Sequence, residues 1–545
     1  MLSLRRLGLC TALLALLCVH PLETTAQEKG KGSEPKKAGD AGIKGGKGLA
    51  DEIRKSKKLQ LTLEKVVQYL LKQNFDVQKA VLDYKGSYSD LKRYQSRYDS
   101  NLYGKANYSR YESPPENPQS KFQGSEIIKH TYEVGAARQF STGTKIQVGV
   151  NSLYQNVKGA EINMGPLGTI NMGGAGYQSG VLVTLSQEIL KNSFGLADRL
   201  SEKKIENAAE IKKRLVKQYL SNLLVEALIG YWNVSVAEEN LTTTRVGLDS
   251  TKEIRDLMVR KLRLGLSERE DLLDWNSKVL LNQNYYDQAG KNLYDARLAV
   301  LRTLNLDSKT DFEIGKTFQT TPPDVSFERA LKDAYAKRVD LINQKTLLKN
   351  AELEYRIASN TEMPSMKLNM SAGNTDYSVE GYSKTFNDVN KQWSVGVEVN
   401  YPLGNTEADV RMHDAKLSYE RTRLEMKDME KRIRDEVDSI VKQCDVSYAM
   451  YKQTKKSAEF ARNYYYQVLA KFRRGRYSAV QLKLALDSYI QMRQSELKSL
   501  VDYNIVLLRR DLSRNVIFEN FGINVEDILD KEIKKLSDME KAARD

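Results

Sequence analysis

Residues able to make or break bonds are scarce in this chain. Of 545 residues, 3 are cysteine and 3 are histidine. Cys10, Cys18 and His20 stand near the start, leaving Cys444, His130 and His413 far apart along the sequence. No Cys/His spacing suits a metal, no Ser/His/Asp order suits nucleophilic catalysis, and no phosphate-cradling glycine loop occurs. The charged residues that do gather flank two glycines. Arg263-Leu264-Gly265-Leu266 is followed by Glu268, Arg269, Glu270, Asp271 and Asp274, and Arg473-Arg474-Gly475 by Tyr477, Ala479 and Gln481. Such groups bind rather than react: carboxylates attract cations, and arginines pair with carboxylates. The plain alternative is two solvated turns whose charges balance. The expectation is a protein that is not an enzyme and carries no cofactor or metal.

Composition narrows the class. The chain is 29% charged, 41% hydrophobic and 8% aromatic, with a formal net charge of +14. A mean hydropathy of −0.54 excludes a polytopic helical membrane protein, which needs several runs of ~20 apolar residues. The hydrophobic share is close to the usual ~45%, enough for a core, so wholesale disorder is excluded. Length allows about three or four ordinary domains, although repeat folds escape that rule. The positive excess could favour anionic cargo or lipopolysaccharide phosphates, and most of it fits solvated helix faces. Nucleic acid is not expected as a partner.

The first residues point to export. Arg5 and Arg6 precede an apolar run from Leu7 to Val19, and Thr24-Thr25-Ala26 offers a cleavage site before Gln27. Residues 1–26 therefore read as a secretory signal too short to span a bilayer. Cys18 would be the lipidated residue of a lipoprotein, but Leu17 before it is bulky for that motif. Residues 27–50 are rich in Gly and Lys and read as a flexible linker. Without the signal the chain keeps Cys444 alone, so packing or oligomerisation must replace disulfides.

The remainder is a tandem repeat. Leu61-Thr62-Leu63-Glu64 returns 264 positions later as Val325-Ser326-Phe327-Glu328, with Thr62 and Ser326 as expected helix caps. The Gly265 landmark returns 210 positions later as Gly475. The first repeat, 51–305, thus carries 54 more residues than the second, 325–514, ahead of that landmark. A connector, 306–324, joins them, and a tail, 515–545, follows.

Each repeat changes period. Trp393, Val395, Val397, Val399 and Tyr401 alternate with Ser394, Gly396, Glu398 and Asn400; Met366, Leu368, Met370 and Ala372 alternate with Lys367, Asn369 and Ser371. Period two predicts strands near 366–375 and 392–402 with one apolar face. The first repeat offers four strands within 101–190: Leu102–Tyr111, Thr131–Phe140, Lys145–Leu153 and Val181–Leu190. Such faces suit a soluble sandwich or a barrel with lipid outside and water inside. Long helices follow, near 196–262 and 405–473, then tip turns at 263–271 and 473–481 and shorter return helices. Along the second, Met426, Met429, Ile433, Val437, Ile440, Cys444, Tyr448 and Tyr451 advance about 3.57 residues per step, a packed and weakly coiled seam.

A signal followed twice by a capped short helix, strands, a long helix, a glycine turn and a return helix resembles the TolC-like outer-membrane efflux proteins. The motifs that carry the likeness are Arg263-Leu264-Gly265, Arg473-Arg474-Gly475 and Tyr401-Pro402-Leu403-Gly404, in their doubled order, from about Leu61 to Phe521. The resemblance implies an α+β membrane protein: a homotrimeric β-barrel in the outer membrane, continuous with a periplasmic α-helical barrel. It implies docking of the tips, through Arg263, Leu264, Gly265, Leu266, Arg473, Arg474, Gly475 and Tyr477, onto a periplasmic adaptor, with Leu264, Leu266, Tyr477 and Ala479 expected to be exposed there. It also implies an inner-membrane pump or ABC transporter as a partner and outer-membrane lipid against Trp393, Val395, Val397, Val399 and Tyr401. Acidic residues after the second turn gate relatives; the matching positions here are Gln481 and Leu484. The acids of the first turn, Glu268, Glu270, Asp271 and Asp274, then become the gate candidates, since three-fold repetition makes a ring and charged rings select ions. The extra 54 residues lead to an expectation of six strands per protomer and eighteen per trimer, in place of four and twelve. A scaffold with no conduit is the competing reading.

Overall fold

The computed structural model describes residues 59–114, 118–265, 268–315, 318–324, 326–385 and 390–525, together with 527, 529–531 and 534. The expected signal and linker lie outside the described residues, as do Leu266 and the end of the tail. The first repeat runs β1 (Leu59–Leu61), α1 (Leu63–Gln73), α2 (Phe75–Gly86), α3 (Ser89–Gln95), β2 (Asn101–Glu112), α4 (Pro118–Gln123), β3 (Glu126–Gln139), β4 (Thr144–Lys158), β5 (Glu161–Asn163), β6 (Thr169–Asn171), β7 (Gly174–Glu188), α5 (Leu196–Arg263) and α6 (Arg269–Thr303). The second runs β8 (Phe312–Ile314), α7 (Phe327–Lys337), α8 (Val339–Thr361), β9 (Ser365–Ser378), β10 (Asn390–Asn400), α9 (Thr406–Arg473), α10 (Ala479–Ser513) and α11 (Ile517–Asn520).

The duplication is visible to the residue. Helices α5 and α9 each have 68 residues, and α6 and α10 each have 35. Each pair is separated by the 210 positions that separate Gly265 from Gly475. Those two glycines take φ of +70° and +77°, and Asn305 and Asn515 both take +54° after the return helices. Left-handed residues at a helix C-terminus satisfy its last carbonyls and reverse the chain. Thr62 and Ser326 cap α1 and α7, accepting from the amides of Lys65 and Arg329. Gly230 does not interrupt α5.

Four long helices pack side by side: α6 on α5, α5 on α10, and α10 on α9. Ile433, Val437, Cys444 and Tyr451 of the α9 seam are buried, with Met429, Ile440 and Tyr448 half-buried beside them. At Gly247 an added Cβ would stand 2.7 Å from Ile490 Cδ1, so this glycine sets how closely α10 approaches α5. Short helices α7 and α8 pack on α9. Strands β1 and β8 form a parallel pair, and Tyr231 of α5 donates its hydroxyl to carbonyls of Leu61 and Gly315 beside it.

The main sheet has six antiparallel strands in the order β10-β9-β7-β4-β3-β2. The extra residues of the first repeat are the β3–β4 hairpin with its flanking connections, paired on both sides within the sheet. Its tight connection, residues 140–143, is at the helix end; the connections β2–β3, β4–β7 and β9–β10 are long and all at the other end. The strands overrun their expected bounds: β3 begins at Glu126 and β7 at Gly174, where alternation is absent from the sequence. Tyr401 falls one residue past β10.

Candidate functional site: a two-faced sheet and paired helix tips

Register settles what each face of the sheet carries. Trp393 pairs in turn with Ala372, Val183, Val148, Ala136 and Leu102, one rung across all six strands. Next to it lie Val395, Met370, Leu185 and Ile146 on one side, and Val181, Val150 and Val134 on the other. All project from one face, and most are open to the surroundings: Trp393 is 78% exposed, Val134 66%, Val395 58% and Val399 61%. A connected apolar surface of this extent marks contact with a membrane or a partner. The reverse face carries Asn101, Lys105, Glu133, Gln147, Asn151, Thr184, Ser186, Lys367, Asn369, Ser371, Ser394 and Glu398. Its groups satisfy one another: Lys105 pairs with Glu133 at 3.4 Å, Ser371 with Ser394 at 2.8 Å and Ser186 with Asn369 at 2.8 Å. Alternation legible in single strands is thus one continuous two-faced wall.

The apolar face ends in aromatic rings. Tyr108, His130, Tyr154 and Tyr177 share a rung, with successive ring centroids 5.1, 5.2 and 5.0 Å apart. Tyr382, from the β9–β10 connection, stands 4.8 Å from Tyr177. Beyond this row, Glu126 is held by Arg110 at 2.9 Å and Lys158 at 3.1 Å. Aromatic residues between an apolar band and a charged border are the pattern of a membrane interface. Sequence reasoning missed this row, because its members meet only when four strands align.

At the opposite end of the long helices, the two glycine turns come together. Their shared core contains Ile254, Met258, Trp275, Tyr465, Val468, Phe472, Leu482 and Leu486. Polar ties cross from one repeat to the other: Lys278 to Asp487 at 2.6 Å, Lys483 to Asp274 at 2.8 Å, Arg493 to Glu239 at 2.7 Å, and Arg473 to Glu253. Lys261 lies 3.9 Å from the centre of the Phe472 ring. Tyr465 and Tyr489 stack with centroids 5.6 Å apart, and burial pushes both phenols above their ordinary pKa.

The candidate residues take distinct places in this tip. Leu264 is 72% exposed at the end of the first turn. Gly265 and Gly475 supply the reversals, and Arg263 and Arg474 are both exposed beside them. Arg473 is engaged with Glu253. Tyr477 is half-buried against the core, with the Lys471 ammonium over its ring. Ala479, expected to be exposed, is buried, because Ser478 starts α10 immediately before it and turns it inward. Gln481 closes a capping box with Ser478. Glu268 and Glu270 are exposed at the start of α6, Asp271 is half-buried, and Asp274 is bound to Lys483.

No protein-family model matches the chain, and no curated protein matches it. Solved structures do. The outer-membrane channel OprN superposes with a TM-score of 0.61 at 14% identity, over 83% of this chain and 89% of that one. The CmeC outer membrane channel of Campylobacter jejuni gives 0.61 at 14% identity, over 95% and 97%. The outer membrane protein VceC of Vibrio cholerae gives 0.61 at 11% identity, over 83% and 95%. Helices, sheet and tips together therefore have the fold of these outer-membrane channels.

Proposed function

We propose that three copies of this chain form an exit duct in the outer membrane, reached by export through the signal at residues 1–26 and catalysing no reaction. The observation that carries this reading is the wall-wide division of the sheet, apolar and exposed on one face and polar on the other. Both outer strands, β2 and β10, leave an unpaired edge, which lipid does not tolerate, so the sheet must close through further copies. The helices support closure too. The outermost pair, α6 and α9, carry exposed apolar stripes: Leu273, Leu280 and Tyr294 on α6, and Val446, Met450, Phe460 and Tyr464 on α9. Exposed Asp287 and Asp295, with Lys291 between them, accompany the first stripe, and Lys456 borders the second. One copy's α6 would meet the next copy's α9.

In that ring the tips would receive a periplasmic adaptor and, behind it, an inner-membrane pump, with Leu264 and Arg474 as exposed contacts. Glu268, Glu270 and Asp271 would stand around the entrance. Asp274 is neutralised by Lys483 and contributes less. The test is purification in detergent, sizing, and reconstitution into planar bilayers. A trimer with channels is expected, and Asp271→Asn should lower its preference for cations. A monomer that stays soluble without detergent and forms no channels would overturn the duct in favour of a scaffold.

A further inference from the structure

The seam that joins the two repeats inside one chain contains the pattern for the seam between copies. A head-to-tail contact closes a ring only by repetition. In a ring built of repeats, the operation that carries the first repeat onto the second therefore carries the second onto the first repeat of the next copy. Sequence positions convert one seam into the other. Adding 210 turns a position of α5 or α6 into its counterpart on α9 or α10, and adding 264 turns one of α2 or α3 into its counterpart on α8.

Three places along the helices show what the conversion does. Midway, half-buried Ile490 of α10 fills the gap that Gly247 leaves on α5. The counterparts are Leu280 on α6 and another small residue, Ser457, on α9; Leu280 is 69% exposed and Ser457 is open as well. At the tips, Lys483 binds Asp274 at 2.8 Å, and the counterparts are Leu273 and Leu484, both exposed. Nearer the sheet, Arg214 of α5 donates to Thr346 of α8 at 3.2 Å, and the counterparts are Leu424 on α9 and Leu82 on α2, again both exposed. Beside that pair, Asn207 donates to Asn350 at 2.8 Å; its counterpart is exposed Leu417, opposite Gly86, where an added Cβ would meet nothing within 4 Å. One ion pair departs from the trend: Lys204–Glu354 becomes Asp414 and Asp90, and Asp90 is already held by Lys212 and Arg93 of its own chain. Single exposed leucines are ordinary on a helix. Here they stand pairwise at positions that already touch within the chain. Resting on the trimeric duct, we propose that copies join along an apolar seam. In it Leu280 enters the gap at Ser457 of the next copy, Leu273 meets Leu484, and Leu82 meets Leu424. The partner is a second copy of the chain, and the two seams differ in kind. Repeats are tied by ions and hydrogen bonds, whereas copies are held by exclusion of water, with charge left to borders such as Lys456.

Disulfide trapping in the full-length protein in detergent tests the pairing. Because α6 and α9 are the outermost helices of one chain, Leu280→Cys with Ser457→Cys can link only separate copies. Oxidation should give dimers and trimers on denaturing, non-reducing gels, and Leu82→Cys with Leu424→Cys should do the same. Leu280→Cys with Ala449→Cys, about 12 Å out of register along α9, should stay monomeric on the gel. A second measurement uses charge. Leu484→Asp should cost most of the trimer on sizing, by placing an unpaired charge in the seam. Adding Leu273→Lys, which rebuilds between copies the tie that Lys483 and Asp274 make within one, should restore it. A protein that sizes as a trimer but gives no ladder from the matched pairs, links equally through the control, or shows no rescue overturns this seam and leaves the duct standing. Absence of any trimer in the parent chain removes the duct itself.

Discussion

Cys444 shows how a residue's chemistry is set by what surrounds it. Buried in the α9 seam against Tyr503 and Leu507, its thiol is pushed up to about 11 by loss of water. The thiolate is the reactive form, so alkylation at neutral pH should wait for unfolding; labelling of the native protein as fast as of a free thiol would contradict the burial. Because the folded thiol holds its proton more tightly, its contribution to stability is complete below about 9 and is lost as pH rises toward 11. The seam position was legible from spacing alone. The engagement of Asp274 was not, since its partner Lys483 lies 209 positions away and the two meet only because the repeats pack tip to tip. Ala479 was misread for a local reason: the serine that caps a helix fixes the direction of the next side chain, and composition does not show where the cap falls.

At the scale of elements, the strands divide by what defines them. Where β-branched and aromatic residues alternate with polar ones, as in Trp393–Val399 and Ile146–Val150, pattern located the strand. Where glycines replace them, from Gly174 to Gly180, only pairing with β4 and β9 makes a strand, and no local signal reveals it. The two faces give a sharp contrast between neighbours. Val148→Arg places a charge on the apolar face and should weaken insertion into vesicles by about 2–4 kcal/mol if it lies near mid-bilayer. Gln147→Arg, one residue away on the polar face, should fold as the parent does. Equal losses in a denaturant titration of vesicle-inserted protein would show that the faces are not lipid and water. The long helices needed no such comparison, since 68 residues without proline and with a continuous apolar seam have few alternatives.

For the whole molecule, the doubled architecture was readable because both repeats keep the same landmarks at a fixed interval. How copies meet was not, because the surfaces concerned have no partner within one chain. Asp287 and Asp295 on α6 and Lys456 on α9 would make the assembly salt-dependent. Lys456→Glu should shift the sedimentation equilibrium from trimer toward monomer at low ionic strength, with the deficit shrinking as salt screens it. A deficit unchanged by salt would assign that lysine no part in closure. The equal helices and the unequal strands have a final consequence. Three copies would place two near-identical helical hairpins each around the tunnel, so a solute there meets walls of approximate six-fold symmetry. The hairpin present in one repeat and missing from the other leaves only three-fold symmetry in the barrel. Cargo crossing from helices to strands would pass from six equivalent directions to three, at the level where the sheet begins.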